Sequence, residues 1–204
     1  MTKHGYCNSE RRQSLRSQTR TAHAALDQHP LLCPLTDPAI PPQTYRRALL
    51  ALYPGFCWLE QQLADYKPRM LSVDWMPRAA LLAQDIEQMG AVPPSTPALD
   101  VPTRPEDAAF WLGLCYVHEG ARHGGRLIAQ RLAGRDDLAR RFFVAASAPG
   151  CWQILWDEME RLSPDVFEQS VVAGAQAGFA AVLQAIDRQW IRPNQAAMPP
   201  VKQK

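Results

Sequence analysis

The stretch LRSQTRTAHAALD, residues 15–27, sets a cation, a histidine and a carboxylate at helical spacing. His23 and Asp27 are four residues apart, one turn along a common face. Arg16 lies seven residues before His23, two turns back on that face. On such a stripe Asp27 can accept the N–H of one ring nitrogen and leave the other to ligate a metal. Arg16 can pair with a ligand carboxylate. A metalloporphyrin bearing propionates suits all three groups. The spacing equally fits a histidine that only satisfies its own hydrogen bonds at a core boundary, beside Ala22 and Leu26.

A second stretch, CYVHEGARHGGRLIAQRL at 115–132, reads as helix yet carries Gly120, Gly124 and Gly125. Each glycine costs a helix roughly 1 kcal/mol relative to alanine. Three together take about 3 kcal/mol from a domain stability of ~5–15 kcal/mol. Either Gly120 and Gly124 form a small-xxx-small seam for a packed helix, or a flat ligand lies on the bared backbone. The HEGARH segment does not make a zinc-protease motif. His118 and His123 are five residues apart, about 140° around a helix, where that motif needs four.

Helical periodicity runs nearly throughout. Ser9 caps a first helix to about Gln28, with Leu15, Ala22 and Leu26 on one side, and Pro30 stops it. A second helix starts at Pro42 and runs to about Tyr66, kinked or interrupted at Pro54–Gly55. A third spans Pro77 to Met89 and ends at Gly90. The Pro-rich run 91–107 is an exposed connection. The glycine-bearing helix occupies about Pro105 to Ala133 and ends at Gly134. Shorter helices are expected over Asp136–Ala146 and Cys151–Leu162. Ser163-Pro164-Asp165 then starts the last helix, which runs to about Trp190. Strand alternation and internal repeats are not visible. The class is all-α, one domain of seven or eight helices over 9–190, with 1–8 and 191–204 as loose termini.

The chain has 204 residues, 47% of them hydrophobic, and a net charge of +2. That is globular composition without a nucleic-acid field. The N-terminus lacks an apolar run after its charges, and no stretch approaches about 18 uninterrupted apolar residues, so neither a signal peptide nor a membrane span is expected. Cys7, Cys33, Cys57, Cys115 and Cys151 have no metal-site spacing and read as buried or idle thiols of a cytoplasmic protein.

Taken together, the two stretches resemble the haem oxygenase family, especially its bacterial, phytochrome-associated branch. LRSQTRTAHAALD is similar to that family's proximal helix, and CYVHEGARHGGRLIAQRL to its distal helix. The closing GAQAGFAAVLQAIDRQW is similar as well, so the likeness covers residues 12–190. It implies His23 as iron ligand, Arg16 at a propionate, and Gly120, Gly124 and Gly125 as the distal wall. Gln176 and Phe179 fall at the haem edge, although Gln176 stands where a cation is common. Haem would be substrate and cofactor together. It would be cleaved with O2 and electrons from a ferredoxin- or flavin-type donor to biliverdin, carbon monoxide and ferrous iron. A bacteriophytochrome is the implied acceptor of the bilin.

Two departures stand out. Ala121 replaces the family's polar Asp or Ser after the first glycine. His123 replaces a small or apolar residue. By helical-wheel arithmetic these two lie roughly 80° to either side of the Gly120–Gly124 line, and His118 points nearly opposite as a structural residue. His123 can substitute for the missing polar group, bind iron itself, or turn away. A non-catalytic haem carrier or sensor on the same fold is therefore the alternative. Cys115 with Glu119 one turn on keeps a thiaminase-like hydrolase open, whereas a di-iron oxidase lacks its repeated Glu-x-x-His.

Overall fold

The computed structural model describes residues 4–65 and 72–196, with side chains from residue 10 onward and up to 191. Among these residues there is no strand, and seven helices form the fold. Helix α1 is His4–Asp27, α2 is Pro42–Asp65, α3 is Ala79–Gln88, and α4 is Ala108–Arg131. The short α5 is Arg141–Val144 and α6 is Cys151–Glu160. Pro164–Val166, a π-helical turn Phe167–Val171 and Val172–Ala196 follow without a break and together form α7.

Helix α7 is the central rod, packing on α1, α2 and α4. Pro164–Ile191 is long and apolar enough to cross a membrane, but 56% of its most apolar window is buried inside the fold. Its apolarity is what a core helix contacted from three sides requires. Two pairs of glycines set its distance from its neighbours. A Cβ on Gly113 of α4 would stand 2.1 Å from the Val171 carbonyl oxygen, and one on Gly174 would stand 2.0 Å from that of Phe110. A Cβ on Gly55 of α2 would stand 2.9 Å from the Val182 Cα, and one on Gly178 would meet Val117 at 3.0 Å.

Several boundaries differ from those the pattern suggests. Helix α1 begins at His4, so Ser9 lies within it rather than capping it. The interruption expected at Pro54–Gly55 does not occur. Helix α2 is continuous, and Gly55 serves the contact with α7. The expected end at Tyr66 falls outside the described residues, as do residues 1–3 and 197–204 of the termini and the side chain of Cys7. The helix expected over 136–146 shrinks to four residues because tertiary partners take its backbone groups. Tyr45 donates to the Ala139 carbonyl at 2.6 Å, and Asp85 accepts from Arg141 N and Phe142 N. Helix α7 continues past Trp190 to Ala196.

Other signals are realised. Asp107 caps α4, accepting from Ala109 N and Phe110 N at 3.0 Å each. Ser163 caps α7 through Val166 N. Gly90 has φ +73°, and bonds from Ala91 N to Ile86 O and Gly90 N to Glu87 O close α3 as a Schellman motif. The Pro-rich segment is coil, tied to α7 by Arg188 on the Ala98 carbonyl and Gln184 on the Asp100 amide.

Candidate functional site

Helix α1 buries only a narrow stripe. Leu15 and Thr19 are buried, and Ala22 and Leu26 are half-buried against the core. Its outer face carries Arg12, Arg16, Arg20, His23 and Asp27 at steps of four, four, three and four residues. A groove of about 480 Å³ runs along it, lined by Arg12, Gln13, Arg16, Ser17 and Arg20. Below the groove, His23 Nδ1 donates to Asp27 Oδ2 at 2.9 Å, and the two side chains are 63% and 66% exposed. The His23 ring meets Phe179 of α7 edge to face, with centroids 5.9 Å apart. Phe179 is buried, and Gln176, one turn earlier on α7, is exposed.

The glycines of α4 separate into different tasks. Gly113 makes the tight seam with α7. The small-xxx-small reading fails for Gly120 and Gly124. A Cβ on Gly120 would meet only the rim of Trp152, at 3.8 Å, and one on Gly124 would meet nothing within 4 Å. Gly125 does not share this open face. It is buried against Phe143 of α5, whose carbonyl oxygen would lie 3.4 Å from an added Cβ. His123, Gly124 and Leu127 are exposed beside Gly120, while Ala121 is half-buried against the core.

Helices α1 and α4 rest on α7 and α6 rather than on each other. They approach at Tyr116, whose phenol reaches Thr19 and Arg16. Burial raises the Tyr116 pKa, and the Thr19 hydroxyl and the Arg16 charge partly offset this. Tyr116 stacks on Trp152 and meets Trp156 edge-on, and Arg12 lies over the Trp156 ring. The aromatic cluster of Tyr116, Trp152 and Trp156 thus lies beside the arginine-lined groove of α1 and reaches Gly120 and His123 of α4.

Behind the glycine wall is a buried polar cluster that sequence reading missed. His118 has both ring nitrogens on carboxylates, Nε2 at 3.0 Å from Glu60 and Nδ1 at 3.2 Å from Glu119. Arg122 holds Glu119 at 3.1 Å and donates to the Ala146 and Met76 carbonyls at 2.9 and 2.5 Å. Burial alone would push the Glu119 carboxyl up. The His118 bond, the Arg122 charge and the Ser147 hydroxyl overcome it and hold the pKa at about 2. Arg78 is buried between the Phe56 and Phe142 rings and donates to the His118 carbonyl at 2.8 Å. Burial and the nearby Arg122 disfavour its charge, while Glu119 and Glu60 support it. The Glu119–Arg122 spacing of three was the only hint in the sequence. The structural reading of His118 matches this placement.

The cluster also bears on the competing chemistries. Cys115 is fully buried and Glu119 is engaged by His118 and Arg122, so an open cysteine–acid pair is not presented. Among the described residues no three His, Cys, Asp or Glu side chains gather as a metal site, so a carboxylate-bridged di-iron centre has no ligand set there.

No protein-family model matches the chain. A curated protein of Xanthomonas campestris pv. campestris (strain 8004), named "Heme oxygenase", is 33% identical over 144 residues, covering 67% of this chain and 85% of the relative. The chain belongs to the haem oxygenase family. The all-α architecture agrees with that assignment.

Proposed function

We propose that the protein binds haem in the cleft between α1 and α4 and degrades it oxidatively. The observation that carries this reading is the His23–Asp27 couple. Its Nδ1 is engaged at 2.9 Å, its side chain is largely exposed, and its Nε2 has no partner among the described residues. A neutral imidazole oriented by a carboxylate is the donor that haem iron takes from a helix. The site fits the rest of the group as well. Arg16 and Arg20 supply cations for propionates, Phe179 offers an apolar edge, and Gly124 leaves the face of α4 unobstructed.

Haem supplies the iron at which O2 is activated and the ring that is cut, giving biliverdin, carbon monoxide and ferrous iron. The protein's own tasks are placement and shielding. His23 holds the macrocycle from below, and Asp27 fixes its tautomer. Arg16 anchors the polar edge. Gly120 and Gly124 would keep the opposite wall low and leave space beside the bound ring. Ala121 offers no proton, and His123 is the exposed polar group on that wall. Electrons come from an external ferredoxin- or flavin-type donor, and a bacteriophytochrome is the proposed recipient of the bilin. The protein acts in the cytoplasm in this reading.

A single-turnover assay tests it. Purified protein is loaded with haemin, ascorbate is added in air, and the visible spectrum is followed. Loss of the Soret band with growth of a biliverdin band is expected, and His23→Ala should abolish both the ligand spectrum and the pigment. A Soret band that forms and persists would instead establish the haem carrier or sensor that Ala121 favours.

A further inference from the structure

We propose that Trp152 is a positioning residue that holds the His123 imidazole off the haem iron. The proposal rests on the haem reading above. Four contacts converge on this one indole. Its ring lies 4.9 Å from the His123 ring, centroid to centroid, at an interplanar angle of 71°. Its rim is the nearest neighbour that a Cβ on Gly120 would meet, at 3.8 and 4.0 Å. Tyr116 stacks on it at 5.7 Å and 27°, and Trp156 abuts it edge-on at 6.0 Å.

The last two contacts make the first one effective. Trp152 is half-buried and braced by two aromatic rings, so its own rotamer is fixed by packing. Tyr116 is anchored in turn to α1 through Thr19. His123 is an exposed side chain on a helix, with no hydrogen-bond partner among the described residues, and would otherwise sample several rotamers. An edge-to-face aromatic pair contributes about 0.5–1.5 kcal/mol beyond buried area. That is enough to select one rotamer of an otherwise unpartnered ring.

The consequence concerns ligand chemistry. An imidazole beside Gly124 is a candidate sixth ligand for haem iron, and its binding would block O2. As placed, the His123 ring is packed on Trp152 and would have to leave that contact before it could reach the sixth position.

The test uses the full chain with Trp152→Leu, which keeps apolar bulk, and Trp152→Phe, which keeps an aromatic face. In the haem-free protein, NMR should show the His123 ring protons displaced by the indole ring current. The displacement should be lost in Trp152→Leu. In the haemin-loaded protein, Trp152→Leu should convert the ferric spectrum to six-coordinate low-spin. Adding His123→Ala should reverse that conversion, and Trp152→Phe should restore the wild-type spectrum. An unchanged spectrum in Trp152→Leu, a low-spin form that persists without His123, or a wild type already ligated by His123 would each overturn the proposal. No haemin band in the wild type would overturn the haem reading together with it, whereas an absent ring-current shift overturns the Trp152–His123 contact alone.

Discussion

At the scale of single residues, two histidines five positions apart have opposite fates. His118 is sealed in a carboxylate–arginine cluster, and His123 stands open against Trp152. Their angular separation was legible, because helical geometry alone places them on different faces. The partners of His118 were not, since Glu60 arrives from α2 and Arg78 from the segment before α3. The Glu119 carboxyl sits at about 2, below its ordinary value of 4.5. Its stabilising contribution is full above that ordinary value and is lost as pH falls through about 2. Urea midpoints should therefore decline between pH 4.5 and 2. Glu119→Gln should be less stable than wild type at pH 7 and decline less steeply in that window. Asp27→Asn should keep the fold, because both side chains are largely exposed. Haemin affinity should fall about 10–100-fold, measured by Soret titration.

Glycine placement acts at the scale of the element. Gly113 and Gly124 lie on the same helix, yet only the first touches a neighbour. An added Cβ at Gly113 or Gly174 would run into α7 or α4 backbone, which cannot move aside as a side chain can. Gly113→Ala should cost about 1–3 kcal/mol or more in urea unfolding. Gly124→Ala meets open space and should raise haem-free stability by up to about 1 kcal/mol through helix propensity alone. If the cleft admits haem as proposed, the same change should slow turnover in the ascorbate assay. The sequence showed that α4 carries costly glycines. It did not show which of them served a helix and which a ligand, because that depends on the side to which α7 docks. The short α5 has the same cause. Its propensity for helix was outbid by Asp85 and Tyr45, both distant in the chain.

For the molecule as a whole, α1 and α4 are joined mainly through α7 and α6, and to each other through little more than Tyr116 and Thr19. A ligand lying between them would add to that contact. Haemin at 100 times its Kd should stabilise the native state by about 2.7 kcal/mol. For a chain of this size that raises Tm by roughly 5–10 °C, measurable by calorimetry. Hydrogen exchange should slow in α1 and α4 together, leaving the Gly113–Gly174 seam unchanged. The all-α class followed from periodicity and from Gly and Pro punctuation. The central position of α7 did not, because its contacts with α1, α2 and α4 join segments far apart in the chain.

The π-helical turn at Phe167–Val171 gives α7 one residue more than its rise requires. Phe167 and Val171 still point inward, Glu168 reaches Ser14 and Gln18 of α1, and the Gln169 carbonyl accepts from Arg104 at 3.2 Å. A one-residue deletion in an ordinary helix swings everything beyond it by about 100°. Here the chain holds a spare. Removing the exposed Gln169 would let the turn relax to α geometry while Gly174, Gly178 and Phe179 keep their phase. This helix can lose a residue without losing its alignment.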